Sequence, residues 1–256
     1  MLLAVAASGL FGLAQRRRRK RAAPPRGASG ATALVVLLAA AVAGIALLAS
    51  GSNSPPADAT QAIARAPTGT ALSALGELTV RGRAPKTGYS RAAFGPAWAD
   101  VDHNGCDTRD DILRRDLTQI AVRAHTSGCV VIAGVLSDPY TGKPIPFSKS
   151  AATKVQIDHV VALSDAWQKG AQGWTAATRE AFANDPLELL AVDGQTNQDK
   201  GDGDAATWLP PNKPFRCAYV SRQVAVKVRY HLSVTQAERS AIAGVLQKCP
   251  GQVLPS

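Results

Sequence analysis

Gln156-Ile157-Asp158-His159-Val160-Val161 and, further on, Leu187-Glu188-Leu189-Leu190-Ala191-Val192 running into Gly194-Gln195-Thr196-Asn197-Gln198-Asp199-Lys200-Gly201-Asp202 decide how this chain is read. The two apolar runs have strand length, Gly194 permits a sharp turn after the second, and the polar run that follows begins a helix. The order is strand, insertion, strand, helix. An Asp and a His adjoin in the first strand, and an Asn stands 39 positions after that Asp. An imidazole takes a proton from water near neutral pH, and carboxylate and amide oxygens suit a hard divalent cation. Neighbours in a regular strand point to opposite faces, so Asp158 and His159 serve one cleft only if the strand ends or bulges there. Irregular backbone is therefore expected at this pair.

Working outward, the insertion reads as two helices, Ser164–Gly170 with Trp167 and Thr175–Ala183 with Thr175 as cap, closed by an Asn184-Asp185-Pro186 turn. Upstream, Thr108-Arg109-Asp110-Asp111 starts a helix, with a hydroxyl cap and acids in its first turn, that leads into Ile112, Leu113 and Leu117. The β-branched run Cys129–Leu136, the turn Asp138-Pro139-Tyr140-Thr141-Gly142 and the short strand Ile145-Pro146-Phe147 form a hairpin whose prolines keep it at a sheet edge. Downstream, Trp208-Leu209-Pro210-Pro211-Asn212 is a rigid connector. Two helices close the chain, about Phe215 to His231 and Thr235 to Lys248, the second opened by the capping box Thr235-x-x-Glu238. The fold class is α+β, with an N-terminal hairpin region and inserted and flanking helices.

The charge of the 256-residue chain is uneven. Residues 1–30 hold seven of its 29 Lys and Arg and no acid; the other 22 stand against 19 acids, so the pI of about 9.8 belongs mostly to a short basic arm and says little about the folded part. The uncharged run 31–49 is long enough to cross a bilayer as a transmembrane anchor, with the basic arm held inside, or it is the apolar region of a signal segment. Both readings export the rest, as an extracellular domain on the cell membrane or a secreted protein. Residues 50–69, rich in Ser, Pro, Ala and Thr, read as a flexible linker, and residues 70–256 as the folded domain. Cysteine use fits export: Cys106, Cys129, Cys217 and Cys249 contain no C-x-x-C pair and imply two disulfides. Three pairings are possible, of which Cys106 with Cys129 and Cys217 with Cys249 need the least rearrangement.

Asp158-His159, Leu187-x-Leu189-Leu190 and Asn197-x-x-Lys200-Gly201-Asp202, together with Phe182-Ala183-Asn184-Asp185-Pro186 and Trp208-Leu209-Pro210-Pro211-Asn212, resemble the HNH endonucleases. The wider run is similar to the subfamily that also supplies the C-terminal domain of GmrSD-type restriction endonucleases, over roughly residues 95–250. The resemblance implies a ββα-metal core hydrolysing phosphodiester bonds of nucleic acid, DNA by family. His159 would be the general base, and Asp158 and Asn197 the ligands of one divalent ion, Mg or Mn. Lys200 is a phosphate contact by the same likeness, and Glu188 falls where the family has an Asn that braces the loop holding the His. Arg179 on the inserted helix is read as a surface salt bridge before a phosphate contact. The competing reading, which Glu188 favours, is a catalytically inactive HNH-fold module that binds nucleic acid or an envelope partner.

Overall fold

The computed structural model describes residues 57–256. Helices α1 (Ala57–Ala64) and α2 (Ala71–Glu77) come first, the second capped by the Thr70 hydroxyl, which accepts from the Ser73 amide. Helix α1 lies inside the stretch expected to be linker, and corrects that expectation over residues 57–64. Ala59 is buried and Ala62 and Ile63 pack on the core, so a segment with little to bury alone finds apolar partners in α2 and in the last helix of the chain. The basic arm at 1–30 and the apolar run at 31–49 lie outside the described residues. Among those described, no helix is long and apolar enough to cross a membrane.

A single 3₁₀ turn, Arg91–Phe94, precedes a loop and then α3 (Thr108–Asp116). The cap of α3 is Asp107, whose carboxylate accepts from the Asp110 amide, while the Thr108 hydroxyl is spent on the Ala99 carbonyl. Leu117, expected to continue this helix, opens β1 (Leu117–Val122), which pairs antiparallel with β2 (Val131–Ser137); β2 pairs with β3 (Pro144–Ser148). In the order β1-β2-β3 the proline-bearing β3 sits at an edge, as expected. Strand β1 carries no alternating pattern in the sequence, because only Leu117 is buried and its remaining residues are exposed.

The remaining elements follow the expected order: β4 (Val155–His159), α4 (Leu163–Gln168), α5 (Ala176–Ala183, capped by Thr175), β5 (Leu189–Asp193) and α6 (Gly194–Lys200, capped by Asp193). Strands β4 and β5 run antiparallel from Val155 opposite Asp193 to His159 opposite Leu189 without a bulge. Their ribbon lies between two apolar clusters. Val155, Ile157, Leu189 and Ala191 join Ile112, Leu113 and Phe147 on one side, and Leu190 and Val192 join Tyr140, Tyr219 and the helices on the other. Helices α7 (Arg216–Arg229) and α8 (Gln236–Leu246) complete the domain, with Thr235 and Glu238 making the expected reciprocal cap. The fold is α+β around a ββα unit.

The disulfides join nearest neighbours, Cys106 to Cys129 and Cys217 to Cys249. The first ties the loop before α3 to the start of β2, and the second ties the start of α7 to the end of α8. Closing loops of this size stabilises by about 3–4 kcal/mol in the chain-entropy account. The double variant Cys217→Ser/Cys249→Ser should lose about that much in urea denaturation without reductant.

Candidate active site

Asp158 lies near the end of β4 with its carboxylate on the side of α6. Lys200, in the last turn of α6, donates from Nζ to both Asp158 oxygens at 2.8 Å and to the His159 carbonyl at 2.7 Å. The Tyr140 hydroxyl donates to the same carboxylate. All three side chains are buried, and the Asp158–Lys200 pair is shielded from water. Burial pushes the Asp158 carboxyl up from its ordinary range; the Lys200 ammonium opposes that shift. Tyr140 was not singled out in the sequence, where it reads as one residue of a turn. Asp138 holds that turn against the ribbon by accepting from the Asp193 amide at 2.9 Å, and Asn212 of the Trp-Leu-Pro-Pro-Asn connector donates to the Pro139 carbonyl at 2.9 Å.

One turn earlier on α6, Asn197 donates from Nδ2 to Gln156 Oε1 at 2.9 Å, so Asn197–Gln156 and Lys200–Asp158 form two rungs between α6 and one face of β4. This corrects the reading of Lys200 as a phosphate contact: its three bonds are inward. It bears equally on the expected Mg or Mn site. Both oxygens of Asp158 already face an ammonium, one of them also a phenol, and Asn197 is turned to Gln156. As arranged, Asp158 and Asn197 do not fit a divalent ion, and among the described residues no other group of His, Cys, Asp and Glu forms a metal cluster.

His159 faces the other side of the ribbon. Strand β4 ends at this residue, but its pairing stays regular to Leu189, so the expected irregularity is absent and the two side chains alternate. The imidazole lies against Trp98, the rings 6.2 Å apart between centroids and 18° from parallel. Its Nε2 is 3.0 Å from the Ala183 carbonyl. A carbonyl only accepts, so Nε2 carries the proton and Nδ1 is left as an acceptor. The ring borders a cavity of about 320 Å³ that opens to solvent between Arg91–Trp98 and Asn184. Burial, assisted by the positive charge of Arg91, lowers the His159 pKa to about 3, so the ring is neutral at physiological pH.

Glu188 is fully buried and accepts from the Val161 amide at 3.0 Å, two residues after His159. It braces the His-bearing segment as an acceptor, and burial pushes its carboxyl well above the ordinary range. Arg179 makes no salt bridge among the described residues. Its guanidinium donates to the carbonyls of Ala93 (2.7 Å) and Trp174 and lies over Trp167, which fastens α5 to the Arg91–Phe94 turn. Gly95 makes the close approach possible: a Cβ there would meet Glu180 at 2.9 Å. Asp204 pairs with buried Lys169 and with Arg83, while Asp202 takes Lys86 and the Ser164 hydroxyl.

Breaking a buried pair strands one charge and costs about 3–5 kcal/mol. Lys200→Met should therefore destabilise the domain more than Asp158→Asn/Lys200→Met together, which a double-mutant cycle of urea midpoints measures. His159 makes a separate contribution with pH. Its folded pKa is depressed, so the stability it supplies is full above about 6.5 and is lost as pH falls toward about 3. Asp158 and Glu188, shifted upward, act in the opposite sense. Between about pH 6.5 and 4, His159→Gln should lose less stability than the parent chain in paired denaturation curves.

The family model for the C-terminal domain of GmrSD restriction endonucleases matches residues 107–245 of this chain. A protein of Arthroderma benhamiae described as an uncharacterized secreted protein is 42% identical over 182 residues, which span 70% of this chain and 85% of that protein. No solved structure matches the chain.

Proposed function

Because the chain belongs to the family of GmrSD restriction endonuclease C-terminal domains, a nuclease-type domain, we propose that it hydrolyses phosphodiester bonds of nucleic acid outside the cytoplasm, with DNA the substrate implied by family. One observation carries the reading. A neutral imidazole, its tautomer fixed by the Ala183 carbonyl, leaves Nδ1 as a proton acceptor beside a solvent-open cavity. A general base starts from that protonation state, and catalysis requires the depressed pKa of about 3 to rise toward the working pH as the negative phosphate binds beside the ring.

His159 takes the proton from water at Nδ1, Ala183 holds the ring, and Glu188 steadies the backbone that follows. Asp158 and Lys200 act behind the ring, since Lys200 also holds the His159 carbonyl. Asp158 and Asn197, bonded to Lys200 and Gln156, would have to release these partners to hold the Mg or Mn ion that the family implies. Export is supported by the basic arm and apolar run of the sequence, by the two disulfides and by the secreted description of the fungal relative. The opposite orientation of Asp158 and His159 favours a second reading, a non-catalytic module that binds nucleic acid through the same cavity face.

Cleavage of single-stranded and plasmid DNA by the full chain, with Mg, with Mn and with chelator, tests these readings. His159→Ala should lower the rate by about 10²–10⁴, the usual contribution of a general base. Loss of cleavage in chelator would place a divalent ion in the reaction and require the Asp158–Lys200 pair to open. A DNA shift on a gel without cleavage under any condition would leave the binding module.

A further inference from the structure

The cavity beside His159 is built mostly by residues that the family match does not include. Arg91, Pro96 and Trp98 precede residue 107, where that match begins, and the ββα side supplies His159, Leu163 and Asn184. The volume of about 320 Å³ falls at the small end of ligand-sized pockets. Pro96 and Leu163 give it apolar walls. Trp98 adds an indole nearly parallel to the imidazole, and its backbone is held at φ 60°, a conformation uncommon for a bulky residue. The Trp98 and Ala99 carbonyls are both bonded to Thr108, which fastens the strained loop to the start of α3.

Two polar groups give the cavity direction. Asn184 is 1% exposed, and its Oδ1 has no hydrogen-bond partner although its Nδ2 donates to the Glu180 carbonyl. The Oδ1 is itself closed off, so a ligand N–H that draws the Asn184 amide toward the cavity removes the standing cost of a buried acceptor without a donor. Arg91 is exposed and has no carboxylate partner among the described residues, yet its charge is felt at His159. An aromatic plane between apolar walls, one unmet acceptor and one free guanidinium suit a base, its edge N–H and a phosphate.

We propose that this cavity takes one unpaired nucleotide of the substrate strand, with its base on Trp98, a base-edge donor on Asn184 Oδ1 and an adjoining phosphate on Arg91, next to His159 Nδ1. The proposal rests on the nuclease reading and narrows its substrate to single strands, bulges or frayed ends. A base inside a duplex enters the slot only by leaving its stack. Arg91, Trp98 and Asn184 are then binding residues that select the strand, and His159 alone among the four moves a proton.

The test uses the full chain and one oligonucleotide sequence in three forms: single strand, perfect duplex, and duplex with one bulged base. The parent chain should cleave the single strand and the bulge with kcat/KM at least about tenfold above the duplex. Trp98→Ala should raise KM for the single strand about 5- to 100-fold with kcat nearly unchanged, the size of one lost base stack, whereas Trp98→Phe keeps an aromatic face and should retain most of the affinity. Arg91→Ala and Asn184→Leu should also act on KM. Cleavage by the parent with the same KM in Trp98→Ala and Arg91→Ala, or without strand preference, would overturn the slot and leave the nuclease standing. Binding of a labelled single strand by His159→Ala, weakened by adding Trp98→Ala, would uphold the slot even where the parent cleaves nothing, which overturns the nuclease alone.

Discussion

A carboxylate and an ammonium shut away from water hold the ββα unit together. Asp158 and Lys200 belong to elements far apart in sequence, and the Tyr140 hydroxyl completes their coordination from a third. Two charges removed from solvent are stable only when their remaining donors and acceptors are met. Here Lys200 spends its bonds on Asp158 and the His159 carbonyl, so the pair fixes the register of α6 on β4 and the position of the His-bearing backbone together. Asp138 and Asn212 keep Tyr140 in place, which makes the upstream hairpin and the Pro-Pro connector parts of the same support.

The ribbon β4–β5 acts as a partition. Its inward pair is sealed on one face, while on the other face His159 meets a segment from well before the family domain. That segment is carried by α5: Arg179 donates to the carbonyls of Ala93 and Trp174, and Gly95 leaves room for the Glu180 side chain. The helical insertion between the strands therefore does more than fill space, since it delivers both the Ala183 carbonyl that sets the imidazole tautomer and the platform for the cavity wall. Asp185, next to the cavity, is fixed from α7 and beyond by Arg229 and Tyr230.

A second buried charge network braces the helical side. Lys169 meets Asp165, Asp204 and Glu238, and Lys227 meets Glu238. Glu238 is also the reciprocal cap residue of α8, so the cap visible in the sequence is anchored in the core. Asp204 also joins this network to its own loop: one carboxylate oxygen takes Lys169 and Arg83, and the other accepts from the Ala206 amide.

By itself the sequence determined most of the elements and their order, α1 and β1 excepted. Strand length, the Gly194 turn, the Thr175 and Thr235 caps and the edge prolines are local signals, and each element formed where they stood. Tertiary structure alone decided what each polar side chain meets, because that depends on which faces are covered and by which distant segments. Asp158, Asn197 and Lys200 kept the spacing that suggests ligands and a phosphate contact, but packing turned Asp158 and Lys200 toward each other and Asn197 toward Gln156. Arg179 found carbonyls in place of an anion, Leu117 left its helix to pair with β2, and 57–64 became helical once α2 and α8 offered apolar cover. Tyr140, Trp98 and Arg91 entered the site unannounced: a residue's turn or loop is written locally, whereas its neighbour across the fold is set by the burial of the whole chain.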